Sequence, residues 1–322
     1  MRFATWEENG TVAAGVVGEH GLHALPPELT VLDLVRAGLP AALEAGTAAL
    51  STPPVPLSSV RLLPPLTPPT IRDFCAFEEH VEGMMQGTTG KPDVVAEWFE
   101  APTFYFTNPY AAVGPYDDVP TPSGTERLDY ELEVAVVVGA DGASLTPEQA
   151  PDHIFGYTVL NDWSARDLQA REMKVTLGPA KGKDFATTLG PWLVTADELE
   201  PYRDAEGFLA LNMRVSVNGE LTGEDLLSNM GWTFEELLSY ASRNTWVRAG
   251  DLLGSGTTGN GGCLAELWGR NGELSPPPLR PGDVVELTVE GIGTVRNQVV
   301  AGAELPPVRP ARPRPRIRER TS

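Results

Sequence analysis

Glu131 and Glu133 stand two residues apart in the run Tyr130-Glu131-Leu132-Glu133-Val134-Ala135-Val136-Val137-Val138. The run reads as a strand, and side chains at i and i+2 share one face of a strand. Val134 to Val138 is apolar on both faces, which is the pattern of a buried strand. Two carboxylates held side by side in an interior lose hydration and repel, so a positive charge is needed between them. A divalent cation meets that need, and oxygen-only donors suit Mg²⁺, with Mn²⁺ and Ca²⁺ as the other candidates. The competing reading places the pair on an edge strand facing water.

Two further stretches add to this pair. Arg72-Asp73-Phe74 runs on to His80, and Asn161-Asp162-Trp163-Ser164-Ala165-Arg166-Asp167 follows a strand-like segment. Asp162 at a strand end is placed to complete an oxygen cluster, or else to cap the turn at Ser164. Arg166, Gln169 and Lys183 offer N–H donors to an oxyanion or a carboxylate. An ordinary surface helix, with ion pairs of little worth, is the alternative for Arg166, Asp167 and Arg171. His80 is one of four histidines and lies seven residues after Asp73, on a short helical stretch. A neutral imidazole beside a metal takes a proton from water near neutral pH, so His80 suits a general base. Glu266 sits in an apolar, strand-like run from Cys263 to Trp268. It reads either as a buried carboxylate that orients His80 or as a strand glutamate facing solvent. Gly254 to Gly262 is glycine-rich but lacks the Gly-Lys-Ser/Thr ending of a nucleotide phosphate loop. Close backbone approach to a small ligand is the better reading.

The elements that must position these groups are short. With 33 glycines and 30 prolines in 322 residues, turns are frequent, which favours a β-rich, loop-rich α+β fold over a helical bundle. Residues 1–65 form a small β-rich unit: a strand over Thr11 to Val17 after the Asn9-Gly10 turn, then Ala/Leu-rich helix from Leu32 to Leu50, broken at Gly38-Leu39-Pro40. Proline pairs at 53–54, 64–65 and 68–69 mark a linker or a rigid extended crossing. Residues 66–304 carry the motifs. Strands are expected near 157–160, 191–194, 211–217 and 284–289. A hairpin turn is expected at Val217-Asn218-Gly219-Glu220, and a helix opens with the capping box Thr233 to Glu236. Residues 78–99 read as helical stretches broken over Gly87 to Pro92. Residues 305–322 form a Pro/Arg-rich tail with no means of burying apolar surface, expected to be disordered.

The net charge of −20 is uneven, because that tail holds six arginines against one glutamate. The acidic body repels phosphate and excludes nucleic acid as a partner. Cys75 and Cys263 are the only cysteines, too few for a disulfide framework. With no 18-residue apolar run and no signal-like start, the expectation is a cytoplasmic protein away from membranes.

Taken in order, the motifs resemble the fumarylacetoacetate hydrolase family over residues 66 to 304. They are the Asp73…His80 spacing, Asp129-Tyr130-Glu131-Leu132-Glu133, and Asn161-Asp162-Trp163-Ser164-Ala165-Arg166-Asp167-Leu168-Gln169. Leu177-Gly178-Pro179, Gly182-Lys183, Thr187-Thr188, Pro191-Trp192, Ser255-Gly256-Thr257 and Gly291-Ile292-Gly293 follow. The resemblance implies a mixed β-sandwich roll with short helices, a divalent metal, a homodimer, and hydrolysis of a C–C bond in a 1,3-diketone or acylpyruvate-like keto acid. Decarboxylation, tautomerisation or isomerisation of a 2-oxo acid is the alternative that the same family supports. By position, the resemblance assigns the metal to Asp73, Glu131, Glu133 and Asp162, and the base to His80 with Glu266 as its partner. It assigns oxyanion stabilisation to Arg166, Gln169 and Lys183, with Lys183 and Thr187 beside a second cation position. It places substrate contacts at Cys75, Tyr105, Met173 and Thr257. Cys75 and Met173 stand where fumarylacetoacetase has tyrosines, which implies a less polar pocket. The glutamate that one branch of the family carries three residues after its histidine is Gly83 here, which favours the branch using the later glutamate, Glu266.

Overall fold

A computed structural model describes residues 1–313 of the chain. Two sheets carry the architecture. The larger has eleven strands, and its main path runs Gly21–Ala24, Thr11–Gly18, Arg2–Glu8, Thr187–Thr195, Ile154–Asp162, Leu132–Val138, Leu252–Gly254, Ile71–Phe74 and Phe104–Thr107. The smaller has five strands, in the order Glu220–Leu226, Asn212–Val217, Val284–Val289, Gly293–Val300, Val119–Pro120. This is the mixed β fold with short helices expected from the sequence.

The Leu132–Val138 strand is buried along its whole length. Its alternation divides the core in two. Val134, Val136 and Val138 pack with Met213, Val215, Val285, Leu287 and Val295 of the smaller sheet. Ala135 and Val137 face the other way, into a cluster with Phe3, Val31, Leu34, Val35 and Ala42. Strand periodicity therefore puts Glu131 and Glu133 on the second face, at its end. Ile71, Leu160 and Leu252 belong to the same cluster, so Asp73, Asp162 and Gly254, each two residues on, share that face too.

The first 65 residues are woven into the larger sheet rather than standing apart. Phe3 of the Arg2–Glu8 strand pairs with Leu193, and backbone hydrogen bonds continue the sheet across the expected boundary. Two helices, Val31–Ala37 and Leu39–Ala49, split at Gly38 as the Gly-Leu-Pro signal predicts. Asn218 and Gly219 turn the hairpin, both at positive φ (54° and 82°), and Thr233 and Glu236 form the capping box. Residues 305–313 carry no regular secondary structure and are exposed. The rest of the expected tail, including Arg314, Arg316, Arg318 and Arg320, lies outside the described residues.

Candidate metal centre and its histidine

Neighbouring strands bring the acids together through their register. Asp162 pairs with Thr187, Asn161 with Leu132, Gly254 with Ala135 and with Asp73, and Asp73 with Tyr105. Adjacent strands lie about 4.8 Å apart, so side chains at matched heights crowd into one place. Ligand oxygens of Asp73, Glu131, Glu133 and Asp162 all lie within 4.8 Å of one another, and all four residues are buried. Gly254 makes room for them. A Cβ at that position would sit 2.3 Å from Oδ1 of Asp73 and 2.9 Å from Oε2 of Glu133.

Two cations enter the cluster from other segments. Lys183 Nζ contacts Glu131 Oε2 and lies 2.7 Å from Asp162 Oδ2. Arg166 reaches Glu131 Oε1 at 2.7 Å and Asp129 Oδ2 at 2.8 Å. Tyr105 donates its hydroxyl to Asp162 Oδ2 at 2.5 Å. The acids respond differently to this setting. Burial works against charge on Glu131, but Lys183, Arg166 and His80 outweigh it and hold that carboxyl below its usual range. Burial, and then the charge of Asp73, drives Glu133 well above its usual value. Asp162 is also driven well up by burial, despite Lys183, and Asp73 is raised by burial as well.

The donor set fits a hard divalent cation. Five buried carboxyl groups (Asp73, Asp129, Glu131, Glu133 and Asp162) face two buried cations, Arg166 and Lys183. Oδ1 of Asp73 and Oδ1 of Asp162 are buried with no hydrogen-bond partner among the described residues. Unpaired buried oxygens of this kind are costly, and an ion ligated by oxygen alone relieves them.

His80 approaches from a helix over Glu78–Thr89, and Glu266 from a helix over Leu264–Asn271. The latter is a correction, because the run Cys263–Trp268 reads as a strand in sequence. Asp129 explains the difference: its carboxylate accepts the amides of Leu264 (2.8 Å) and Ala265 (2.9 Å), capping the helix from a distant segment. The two helices meet through glycines. A Cβ on Gly83 would lie 2.3 Å from Cγ of Glu266, and one on Gly269 would lie 2.0 Å from the Gly83 carbonyl oxygen. Close approach sets His80 Nδ1 3.9 Å from Glu266 Oε2, with Glu266 also paired to Arg270 at 2.8 Å. The helix of His80 runs through Gly87 to Thr89 and is capped by Gly90 in the left-handed conformation, inside the break expected over Gly87 to Pro92.

A family model described as "Fumarylacetoacetate (FAA) hydrolase C-terminal" matches residues 70–300. The chain belongs to the fumarylacetoacetate hydrolase family. Within it, the chain is 33% identical over 245 residues to the oxaloacetate tautomerase YisK of Bacillus subtilis, covering 76% of this chain and 74% of that one. It is 33% identical over 266 residues to the fumarylacetoacetase of Arabidopsis thaliana, covering 68% and 63% respectively. Among solved structures, a fumarylacetoacetate hydrolase from Exiguobacterium antarcticum superposes with a TM-score of 0.74 at 28% identity, over 94% of this chain and 99% of that one.

The other residues that the sequence suggested for the site divide into those at the cluster and those away from it. Thr257 lies 3.5 Å from Glu133 Oε1, and Gly256 donates its amide to Glu133 Oε2 at 3.2 Å. Gln169 accepts from Arg166 at 3.2 Å. Cys75 is partly buried, and its thiol is pushed up to about 12 by burial, then by Glu131 and Asp73. Met173 is different. It closes the Arg166–Met173 helix with 54% of its surface exposed, roughly two turns (about 10 Å) from Arg166. Arg72 also departs from its grouping with Asp73, since strand alternation sends it to the opposite face, where it pairs with buried Asp251 at 3.2 Å. Sequence reasoning assigned no role to Asp129 or Cys263, and read Gly254 only as part of a glycine-rich turn that lets backbone approach a ligand, not as the space for two carboxylates. The Asp129-Tyr130-Glu131-Leu132-Glu133 spacing was the available signal for Asp129; the others depend on contacts far apart in sequence.

Proposed function

We propose that this protein is a divalent-metal-dependent hydrolase that cleaves a C–C bond of a 1,3-diketone or acylpyruvate-type acid with water activated by His80. The observation that carries the reading is the convergence of four buried carboxylates beside a buried histidine–glutamate pair. Asp73, Glu131, Glu133 and Asp162 would hold the cation, with Mg²⁺ the first candidate and Mn²⁺ and Ca²⁺ next. Such an ion supplies Lewis-acid polarisation of a keto oxygen when bound.

The chain's own groups do the rest. His80 takes the proton of the attacking water, and Glu266 orients the ring from the Nδ1 side and balances the imidazolium that forms. Arg166, Gln169 and Lys183 direct N–H groups toward the oxygen that gains charge, each good donor being worth about 2–4 kcal/mol. The fragment that leaves does so as an enolate and takes a proton back from His80. Thr257, Cys75 and Tyr105 border the reacting end of the substrate, and Met173 is assigned to its outer part. A groove of about 530 Å³ beginning at Arg166 is lined by Arg127, Met84, Ala170, Trp268 and Leu274. Its volume is that of a small-ligand site, and its apolar residues would take a substrate tail; Arg166 is the site residue in its wall, which Gln86, Thr88 and Glu273 also line.

The likeness to an oxaloacetate tautomerase supports a second reading, in which the same groups form an enolate of a 2-oxo acid without adding water, by tautomerisation, isomerisation or decarboxylation. Incubation with a panel of acylpyruvates and Mg²⁺ or Mn²⁺ separates the two. Two acid fragments mark hydrolysis, whereas CO₂ or a shifted double bond marks the second reading. In either case His80→Ala lowers turnover by about 10²–10⁴-fold and leaves metal binding intact; full activity in that variant discards the mechanism. A cytoplasmic homodimer accompanies this reading, and sedimentation of the purified protein tests the dimer. Among the described residues, no helix is long and apolar enough to cross a membrane.

A further inference from the structure

A second cluster of ligating side chains overlaps the first and differs from it in chemistry. His80, Glu131 and Cys263 are all buried, and each brings one ligand atom within 4.8 Å of the other two. His80 Nδ1 lies 3.7 Å from Cys263 Sγ. Around a tetrahedral zinc ion, a nitrogen at about 2.0 Å and a sulfur at about 2.3 Å are about 3.5 Å apart. The span in this protein therefore matches two ligands of one ion.

We propose that His80, Cys263 and Glu131 form a binding site for a thiophilic divalent ion of the zinc class, and that this ion inhibits the enzyme by capturing its histidine. The site stands on this geometry; the inhibition rests on the function proposed above. Ligand softness sorts the ions between the two clusters. Four carboxylates favour hard cations such as Mg²⁺, whereas imidazole and thiolate favour zinc, cobalt and cadmium. An ion on Nδ1 also takes the ring atom that faces Glu266 at 3.9 Å, so it removes the contact that orients the base. Glu131 belongs to both clusters, and its two oxygens already face Lys183 and Arg166. Filling the second site thus draws on a carboxylate that the first one uses. Coordination forms a metal–sulfur bond and sends the thiol proton to solvent, with no change in oxidation state.

Cys263 is free of any role in the proposed reaction. Its sulfur accepts the Glu266 amide at 3.4 Å at the start of the Leu264–Asn271 helix, a position where serine is a preferred residue. Cys263→Ser therefore keeps the cap and removes the soft ligand.

The test uses the full chain stripped of metal. Cobalt(II) added to the wild-type protein should give a thiolate-to-metal charge-transfer band in the near ultraviolet, and Cys263→Ser should lack it. This readout does not depend on turnover. In the Mg²⁺-activated reaction, zinc should inhibit the wild type at concentrations about 10-fold or more below those needed for Cys263→Ser, each protein being compared with its own zinc-free rate. Should Cys263→Ser fail to fold, His80→Gln serves for the cobalt measurement, where it should weaken binding about 10-fold or more. Absence of the band from the wild-type protein, or equal zinc sensitivity of wild type and Cys263→Ser, overturns the proposal. A band that depends on Cys263 in a protein that turns over no keto acid would sink the proposed function and leave the ion site standing.

Discussion

Gly254→Ala tests the carboxylate cradle without removing any proposed ligand. The added Cβ would sit 2.3 Å from Asp73 Oδ1 and 2.9 Å from Glu133 Oε2. Carbon and oxygen in contact keep about 3.3 Å apart, so Asp73 Oδ1 must retreat by about 1 Å. Ligand distances at a metal tolerate only about 0.2 Å, so Asp73 and Glu133 cannot both stay in place. The expected loss is at least the about 10–100-fold seen when a ligand's supporting group is removed, or about 1.4–2.7 kcal/mol. Calorimetric titration with Mg²⁺ or Mn²⁺ measures it directly. A melting experiment offers a second measure. At a metal concentration 100 times the wild-type Kd, bound ion stabilises the wild type by about 2.7 kcal/mol, but a variant weakened 100-fold by only about 0.4 kcal/mol. For a chain of this length the difference is roughly 3–4 °C of metal-dependent Tm. Residue 254 does not have positive φ, so the backbone accepts alanine, but the crowding should cost the metal-free variant about 1–3 kcal/mol, and the readout is therefore the rise in Tm on adding metal rather than Tm itself. Equal metal affinity in the two proteins would refute the cradle, and no binding in the wild type would refute the metal site itself.

Two more outcomes follow from the same geometry. Gly83→Ala should cost about 1–3 kcal/mol by overpacking the contact with Glu266 and should lower kcat, because the helix that moves carries His80; an unchanged Tm and kcat would show that the helices are not in that contact. Metal uptake near pH 7 should release protons, because burial raises the carboxyls of Asp73, Glu133 and Asp162. A raised folded-state pKa gives stability that is complete below the unfolded value and lost as pH rises through the folded one. The metal-stripped protein should therefore lose stability from these groups as pH climbs above about 4 toward neutrality. Glu131 acts in the opposite sense, its contribution being present above the unfolded value and lost in acid. Titration calorimetry in buffers of different ionisation enthalpy counts the protons, and heats that do not depend on the buffer would contradict the expectation.

The sequence announced the parts of this site that local periodicity controls. Glu131 and Glu133 share a face because strands alternate, and the burial of Val134 to Val138 follows from an apolar run with no polar side. Gly38, the Asn218-Gly219 turn and the Thr233 box act within a few residues, and each falls where it was expected. Cys263–Trp268 misled because a six-residue apolar run fits either a strand or a buried helix turn. Signals on its far side pointed to a helix: Arg270 in the last turn, and Gly272 in the left-handed conformation at φ 71°. The decisive cap, Asp129, is 135 residues from Leu264, and no local window contains both. Arg72 was grouped with Asp73 by adjacency alone, whereas adjacent residues of a strand face opposite ways. The N-terminal unit looked separate because prolines 53 to 69 interrupt the pattern. Its hydrogen bonding to the Thr187–Thr195 strand is a long-range pairing that composition does not encode.

Asp129, Glu131 and Glu133 show how one spacing produces three electrostatic states. All three are buried acids two residues apart, yet each meets a different partner. Asp129 faces the start of a helix and holds two of its amides as well as Arg166, so its charge is spent on joining segments. Glu131 lies between Lys183 and Arg166, and the two cations keep it ionised at the centre of the cluster. Glu133 meets Asp73 across Gly254 and, among the described residues, has only the Gly256 amide and the Thr257 hydroxyl as donors, so burial and repulsion both favour its protonated form. An added divalent charge changes the balance most at Glu133 and Asp73 and least at Asp129. The same Arg166 that steadies Glu131 is fixed by Asp129, and Asp129 in turn fixes the helix that carries Glu266. The oxygen cluster and the orientation of His80 are thus tied through one carboxylate, which is why the short segment 129–133 that supplies two of the cluster's four acids also sets the position of the histidine's partner.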